Sequence, residues 1–210
     1  MNAIDEFDLS PSLLQEIDGN GASQRMQFTG NNGGLLISVG SERIDIQLSS
    51  NRREGFTNEE VEKVQKALLY CMTKLYEVFG KRVPLPYRLA WNTAYVYFDI
   101  DQNKKEEYRD RFQVKNPFFS KNPLEDMVVR YGARRDTVIG GRDDEKVNII
   151  TTIGRFLTSI GDNEVDGYQI EHDINTWQMN RINRFTGNDI VEFIKKAYKI
   201  QLDANESVLP

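Results

Sequence analysis

The chain is poor in the residues that carry soft-metal and nucleophilic chemistry: 210 residues hold one cysteine and one histidine. Borderline metals such as zinc generally take several such ligands, so a zinc site is not expected, and a lone cysteine excludes an internal disulfide framework. That cysteine, Cys71, lies among Leu68, Met72 and Leu75 in a helical pattern and reads as a buried free thiol in a reducing compartment. No apolar run approaches the roughly 18 residues of a membrane-spanning helix. The opening "MNAIDEFDLSPSLLQEI" is acidic, with no basic start before an apolar run, so no secretory signal is expected and the expected location is cytoplasmic. Nor is there an excess of positive charge. A net charge of -5 gives no global drive toward nucleic acid or a membrane surface, although a local basic patch leaves nucleic acid open. No G-x-S-x-G elbow occurs. "GNNGG" at 30–34 precedes a strand rather than a helix, which makes it a turn and not a phosphate cradle.

What is present is ordinary folding material, 39% hydrophobic and 28% charged, arranged in readable periods. Ser10 and Pro11 predict a short helix through "SPSLLQEI" that "DGNGAS" breaks. "RMQFTG", "GLLISVG" and "RIDIQLS" read as strands, the last two as a hairpin with one buried face. Thr57 and Glu60 form a T-x-x-E capping box, with Phe56 placed to staple onto Val61. Val61, Val64, Leu68, Cys71 or Met72, Leu75 and Phe79 continue as one apolar stripe up to Gly80. After the stiff "VPLPY", "RLAWNTAYVYFDI" predicts a long strand. "NKKEEYRDRFQV" predicts a surface helix and "KNPFFSKNPLED" a loop. "MVVRYGARRDTVI" and "KVNIITTIGRFLTSI" follow as strands on either side of "GGRDDE", which reads as a charged turn. "YQIEHDINTW" is the last strand, and a helix over about Asn188 to Leu202 has Ile190, Phe193, Ile194, Ala197 and Leu202 as its apolar positions.

Two segments align: "RIDIQLSSNRREGFTNEEVEKVQKA" and "EHDINTWQMNRINRFTGNDIVEFIKKA". Asp45 matches Asp173, Phe56 matches Phe185, Thr57 matches Thr186, and the acids Glu60 and Asp189 each stand three after the threonine. The expected fold class is therefore α+β, with antiparallel sheets from two pseudo-repeated β-β-β-α units and helices packed on one face. The expected organisation is a peripheral segment 1–23, a first unit 24–82, a connecting strand, surface helix and loop over 83–126, and a second unit 127–210, within one compact domain. The order of "YRLA", antiparallel middle strands, a late strand ending in "HDINTW" and a terminal Phe-Thr helix resembles a sporadically distributed, uncharacterised bacterial family. Its members have an Asp-Ile-Asp strand where this chain has Asp173-Ile174-Asn175. The resemblance implies a bacterial or phage protein of variable genomic regions, linked to mobile-element or phage-defence systems, and brings no catalytic residues with it.

Strand alternation sorts the chemistry of the last strand. Tyr168, Ile170, His172, Ile174 and Thr176 share one face, while Gln169, Glu171, Asp173 and Asn175 share the other. His172 is thus expected in the core with a hydrogen-bond partner, not among its acidic neighbours. Glu171 and Asp173, with Asp136 from another strand, are the candidate catalytic acids of a metal-dependent phosphoesterase or nuclease. The competing expectation is that these acids pair across strands with Arg130, Arg134, Lys146 or Arg155. The connectors "NRREGF" and "QMNRINRF" offer Arg52, Arg53, Arg181 and Arg184 for binding, as do Phe118 and Phe119 at a loop tip and Asn175 on the polar strand face. The leading functional expectation is a non-enzymatic binding or assembly protein with a protein partner and homo-oligomerisation through sheet edges. It involves no cofactor, metal or membrane. The alternatives are the metal-dependent hydrolase and a small-ligand or nucleotide sensor.

Overall fold

Period-two alternation and tight-turn chemistry build an α+β protein whose computed structural model describes residues 9–18, 21–30, 35–39, 44–48, 57–79, 85–98, 103, 106–107, 127–160 and 163–208. Among them are two four-stranded antiparallel sheets and two 22-residue helices. The chain divides into two compact units, Met1–Val83 and Pro84–Pro210.

In the first unit, β1 (Leu9–Asp18), β2 (Gly21–Gly30), β3 (Leu35–Val39) and β4 (Ile44–Leu48) form a sheet in sequential order. The segment "SPSLLQEI", expected as a helix, is a strand instead. It pairs with β2 through its whole length, from Leu9↔Gly30 to Asp18↔Gly21. The local Ser-Pro signal loses to this long-range ladder, because β1 is an edge strand, where proline's missing N–H costs little. The β3–β4 hairpin holds, with Ile37↔Ile46 and Ser38↔Asp45 in register and Ile37 buried.

The capping box of α1 (Asn58–Phe79) forms as the sequence requires. The Thr57 N–H donates to Glu60 Oε2 at 2.8 Å, and the Glu60 N–H returns to Thr57 Oγ1 at 3.3 Å. Val61 and, one turn on, Gln65 are buried. Phe56, Gly80 and the side chains of Val64, Leu68, Cys71, Met72, Leu75 and Phe79 lie outside the described residues.

The second unit has β5 (Ala90–Phe98), β6 (Met127–Ile139), β7 (Arg142–Ile160), β8 (Asn163–Thr176) and α2 (Gly187–Val208), with sheet order β5-β8-β7-β6. β6, β7 and β8 form a meander. β5, expected to be a connecting strand, adds to the far side of β8 from Ala90↔Asn175 to Phe98↔Gly167. Asn103, Glu106 and Glu107 are helical and exposed, in the stretch predicted as a surface helix.

α2 covers one face of this sheet. Ile190, Phe193, Ile194, Ala197, Ile200 and Val208 are buried at helical spacing, and each buried aliphatic or aromatic side chain contributes about 1.5–3 kcal/mol. Leu202, expected on this stripe, is exposed, and the buried position beside it belongs to Gln201. Toward the C-terminal end of α2, Ile153, Tyr168, Ile170 and Val208 form a cluster flanked by Tyr95, Tyr97, Met127 and Val129.

The second helix repeats the first helix's cap: the Thr186 N–H donates to Asp189 Oδ2 at 2.8 Å, and the Asp189 N–H to Thr186 Oγ1 at 3.4 Å. The sheets themselves differ, since α1 follows the edge strand β4 whereas α2 follows the inner strand β8.

The β6–β7 turn is shorter than "GGRDDE". It is Gly140 and Gly141 alone, at φ of 59° and 74°, and Arg142 to Glu145 already belong to β7. This hairpin tip is fastened to the first turns of α2. The Gly140 N–H donates to Glu192 Oε2 at 2.9 Å, Lys196 Nζ to the Val138 carbonyl, and Arg142 Nη2 to Asp189 Oδ2 at 3.3 Å. Burial pushes the Asp189 carboxyl up, but hydrogen bonds from Thr186 and the Arg142 guanidinium outweigh it and hold the group below its ordinary value. No helix among the described residues is long and apolar enough to cross a membrane.

Candidate functional site

β8 divides the second unit's polar chemistry between two faces, as its alternation requires. On the helix-covered face, His172 is 1% exposed. Its Nδ1 lies 2.9 Å from Thr151 Oγ1 and its Nε2 lies 2.7 Å from Asn205 Oδ1. The arrangement assigns a neutral ring that donates from Nε2 and accepts at Nδ1. The Tyr95 ring packs against it in a T-shaped arrangement, at 76°. Gln201 links the same face, accepting from Trp91 Nε1 at 2.6 Å and donating to the Tyr95 hydroxyl. His172 is therefore a satisfied core residue.

Burial lowers the pKa of His172, and its hydrogen bond to Asn205 offsets only part of that effect. The unfolded chain therefore binds a proton at higher pH than the folded one. The stability that depends on neutral His172 is complete above the unfolded value of 6.5 and falls as pH drops through it toward the folded value. Urea midpoints are expected to decrease from pH 7.5 to pH 5, and His172→Gln is expected to flatten that part of the profile. An unchanged slope in the variant would assign the effect to other groups.

The opposite face of the sheet is open to solvent. Register places its side chains in rows across β6, β7, β8 and β5: Arg134, Asn148, Asn175 and Ala90; then Gly132, Ile150, Asp173 and Asn92; then Arg130, Thr152, Glu171 and Ala94; then Val128, Gly154, Gln169 and Val96. Everything contributed by β6 and β5 to these rows is exposed.

A ladder of side-chain hydrogen bonds crosses three strands in this surface. Arg134 Nε donates to Asn148 Oδ1 at 2.7 Å, Asn148 Nδ2 to Asn175 Oδ1 at 3.1 Å, and Asn175 Nδ2 to Asp173 Oδ1 at 2.8 Å. Arg134 also lies over the Trp177 ring, 5.4 Å from its centroid. Where the ladder ends, Lys146 and Asp136 pair across strands at 3.1 Å.

These positions sort the residues expected to act. Glu171 and Asp173 share the open face, but Asp136 does not join them. It is on β6, two strands away from β8 and displaced along the sheet, roughly 10 Å across and 13 Å along. Among the described residues no group of three or more His, Cys, Asp or Glu is placed to hold a metal ion. Asp136 meets Lys146 instead, as cross-strand pairing allows. Asn175 lies on the expected face but is buried at 3% and engaged at both ends of its amide. Arg181 is exposed on the connector before α2.

Arg184 is turned inward. Nε and Nη2 grip Glu145 at 2.8 and 2.5 Å, Nη1 reaches the carbonyls of Tyr87, Ile182 and Asn180, and the guanidinium stacks on Phe185 at 4.2 Å. All three guanidinium nitrogens donate inside the protein, which makes Arg184 the organiser of its connector. Arg52, Arg53, Phe118 and Phe119 lie outside the described residues.

Sequence reasoning named Arg130 as a cross-strand neighbour of the acids but missed Asn148 and Trp177 as members of this surface. Strand alternation gives each residue its face, but only the register between strands shows which residues become neighbours. Comparisons with protein-family models, with curated proteins and with solved structures find no match for the chain.

Proposed function

We propose that the protein is a non-enzymatic binding module that docks a protein partner on the open face of the β5-β8-β7-β6 sheet. The observation that carries this reading is the hydrogen-bonded ladder from Arg134 to Asp173, which fixes the exposed Arg134 and the partly exposed Asn148 and Asp173 relative to one another, through the buried Asn175, before any partner arrives. Pre-organised side chains on strands lose little freedom on binding, so more of the contact energy appears as affinity.

The surface is also of mixed sign. Arg130 and Arg134 lie on the β6 side, while Glu171 and Asp173 lie on the inner strand β8. A nucleic-acid backbone laid across it would meet two carboxylates, whereas a protein surface of complementary charge would not be repelled. Small ligands and catalysis favour concave, partly apolar sites, and the edge rows of this face carry the small residues Ala90, Ala94 and Gly132 beside exposed charges.

The test uses the purified full chain, immobilised and crosslinked in extract, with crosslinks mapped by mass spectrometry. Crosslinks to a protein partner are expected on the open face, and Glu171→Lys combined with Val96→Lys is expected to abolish that partner's retention. Unchanged retention would overturn the reading, as would Mg²⁺- or Mn²⁺-dependent hydrolysis of phosphodiesters that disappears in Asp173→Ala.

A further inference from the structure

β6 is an edge strand, and it is built unlike most edges. It runs 13 residues, Met127–Ile139, and pairs on one side only, with β7, among the described residues. Residues 130–136 are exposed on both faces of the strand, and Val128, Tyr131 and Val138 are 67%, 50% and 47% exposed. Natural sheets blunt such edges with lysine, proline or brevity. β6 has no lysine or proline and is not short. Apart from the Val138 carbonyl, which accepts from Lys196, its outward N–H and C=O groups have no partner strand among the described residues and form a template for another strand.

The sequence of β6 is complementary to itself. When two copies are laid antiparallel about Ala133, the middle residue of the strand, Arg130 of each stands opposite Asp136 of the other. Tyr131 then stands opposite Arg135, Gly132 opposite Arg134, and Val128 opposite Val138. Every charge-bearing row meets an opposite charge, an aromatic ring or a glycine, and the two exposed valines cover one another. Moving the centre by one residue destroys this match, since Arg130 then faces Arg134 or Val138. Asp136 is free to take part: its pairing with Lys146 joins two side chains 65% and 45% exposed, and such exposed pairs are weak and readily shared.

We infer that β6 pairs with β6 of a second copy of this chain, about a two-fold axis through Ala133. The product is a symmetric dimer with one continuous eight-stranded sheet and roughly ten new main-chain hydrogen bonds. Side chains keep their faces across the junction, so Arg130 and Asp136 meet on the open face, and Tyr131 and Arg135 meet on the side that bears the helices. The inference rests on the strand edge and its charge pattern, and is independent of what docks on the open face.

The test is a charge swap read by sedimentation equilibrium on the full chain, with far-UV circular dichroism confirming the fold of each variant. Wild-type protein is expected to dimerise at micromolar concentration. Arg130→Asp and Asp136→Arg each turn two attractive contacts into repulsive ones and are expected to raise the dissociation constant roughly tenfold or more. Mixing the two variants restores both attractions and is expected to give a heterodimer of wild-type affinity, as is placing both substitutions in one chain as a homodimer. A monomeric wild-type protein would overturn the inference. So would single variants that dimerise as well as wild type, or a mixture that does not recover. Because Glu171 and Val96 lie on other strands, failure here is separable from failure of the docking surface.

Discussion

Glu145→Ala is expected to lower the unfolding free energy of the second unit by about 3–5 kcal/mol, the cost of leaving a buried charge without its partner. Glu145 and Arg184 are 4% and 8% exposed in their side chains and meet through two hydrogen bonds. Removing the carboxylate strands a guanidinium that cannot deprotonate and cannot swing out to water, because Nη1 is tied to three carbonyls and the plane rests on Phe185. Arg184→Ala does comparable harm by another route, exposing the Glu145 carboxylate and orphaning the carbonyls of Tyr87, Asn180 and Ile182 together.

A neutral pair such as Glu145→Leu with Arg184→Met removes the charge problem, and buried ion pairs replaced in this way often lose little stability. Here the recovery is expected to be partial, since the carbonyls still lack donors. Urea denaturation of the three variants decides the matter. If the double variant regains full stability, the carbonyl contacts contribute nothing and the connector is held by the Arg184 and Phe185 N–H groups, both bonded to the Pro86 carbonyl at 3.1 Å.

The second large effect separates two adjacent glycines. Gly140→Ala is expected to destabilise by about 3 kcal/mol or more, and Gly141→Ala by about 1 kcal/mol, the ordinary penalty of a left-handed conformation for an L-residue. Both glycines have positive φ, as a two-residue hairpin turn requires. Only Gly140 touches the helix: a Cβ there would sit 2.0 Å from Asp189 Oδ1 and 2.6 Å from Asp189 Cγ, whereas at Gly141 it would meet nothing within 4 Å. Asp189 cannot yield freely, because moving it breaks the reciprocal bonds with Thr186 and the contact with Arg142. Equal costs for the two substitutions, measured by thermal unfolding, would show that the hairpin tip is not clasped to α2.

Much of the frame was legible because its signals are local. Thr57 with Glu60 and Thr186 with Asp189 mark helix starts through chemistry confined to one turn, and the alternation of β8 assigned His172 to the core without any structure. The strand Met127–Ile139 matches the segment read as a strand. The failures concern residues whose fate depends on distant partners. "SPSLLQEI" is a strand only because β2 lies beside it. Glu145 and Arg184 look like solvated loop charges until β7 and the connector are brought together. Gln201 enters the core as a polar residue because Trp91 and Tyr95 meet its amide, a pairing across about a hundred positions of chain. The open face was half legible: its members on β8 were named, but the rows joining them to Arg134, Asn148 and Asn92 exist only in the register.

The placement of the indole side chains fixes what each spectroscopic signal can report. Both tryptophans of the chain, Trp91 and Trp177, belong to the unit Pro84–Pro210. One donates its N–H to the interior amide of Gln201, and the other lies under a guanidinium at the surface. Selectively excited tryptophan fluorescence therefore arises from the second unit alone, while far-UV dichroism sums both. The lone cysteine, Cys71 in α1, gives the first unit a chemical handle of its own. Non-coincident fluorescence and dichroism curves would mean that the two halves melt as separate cooperative blocks.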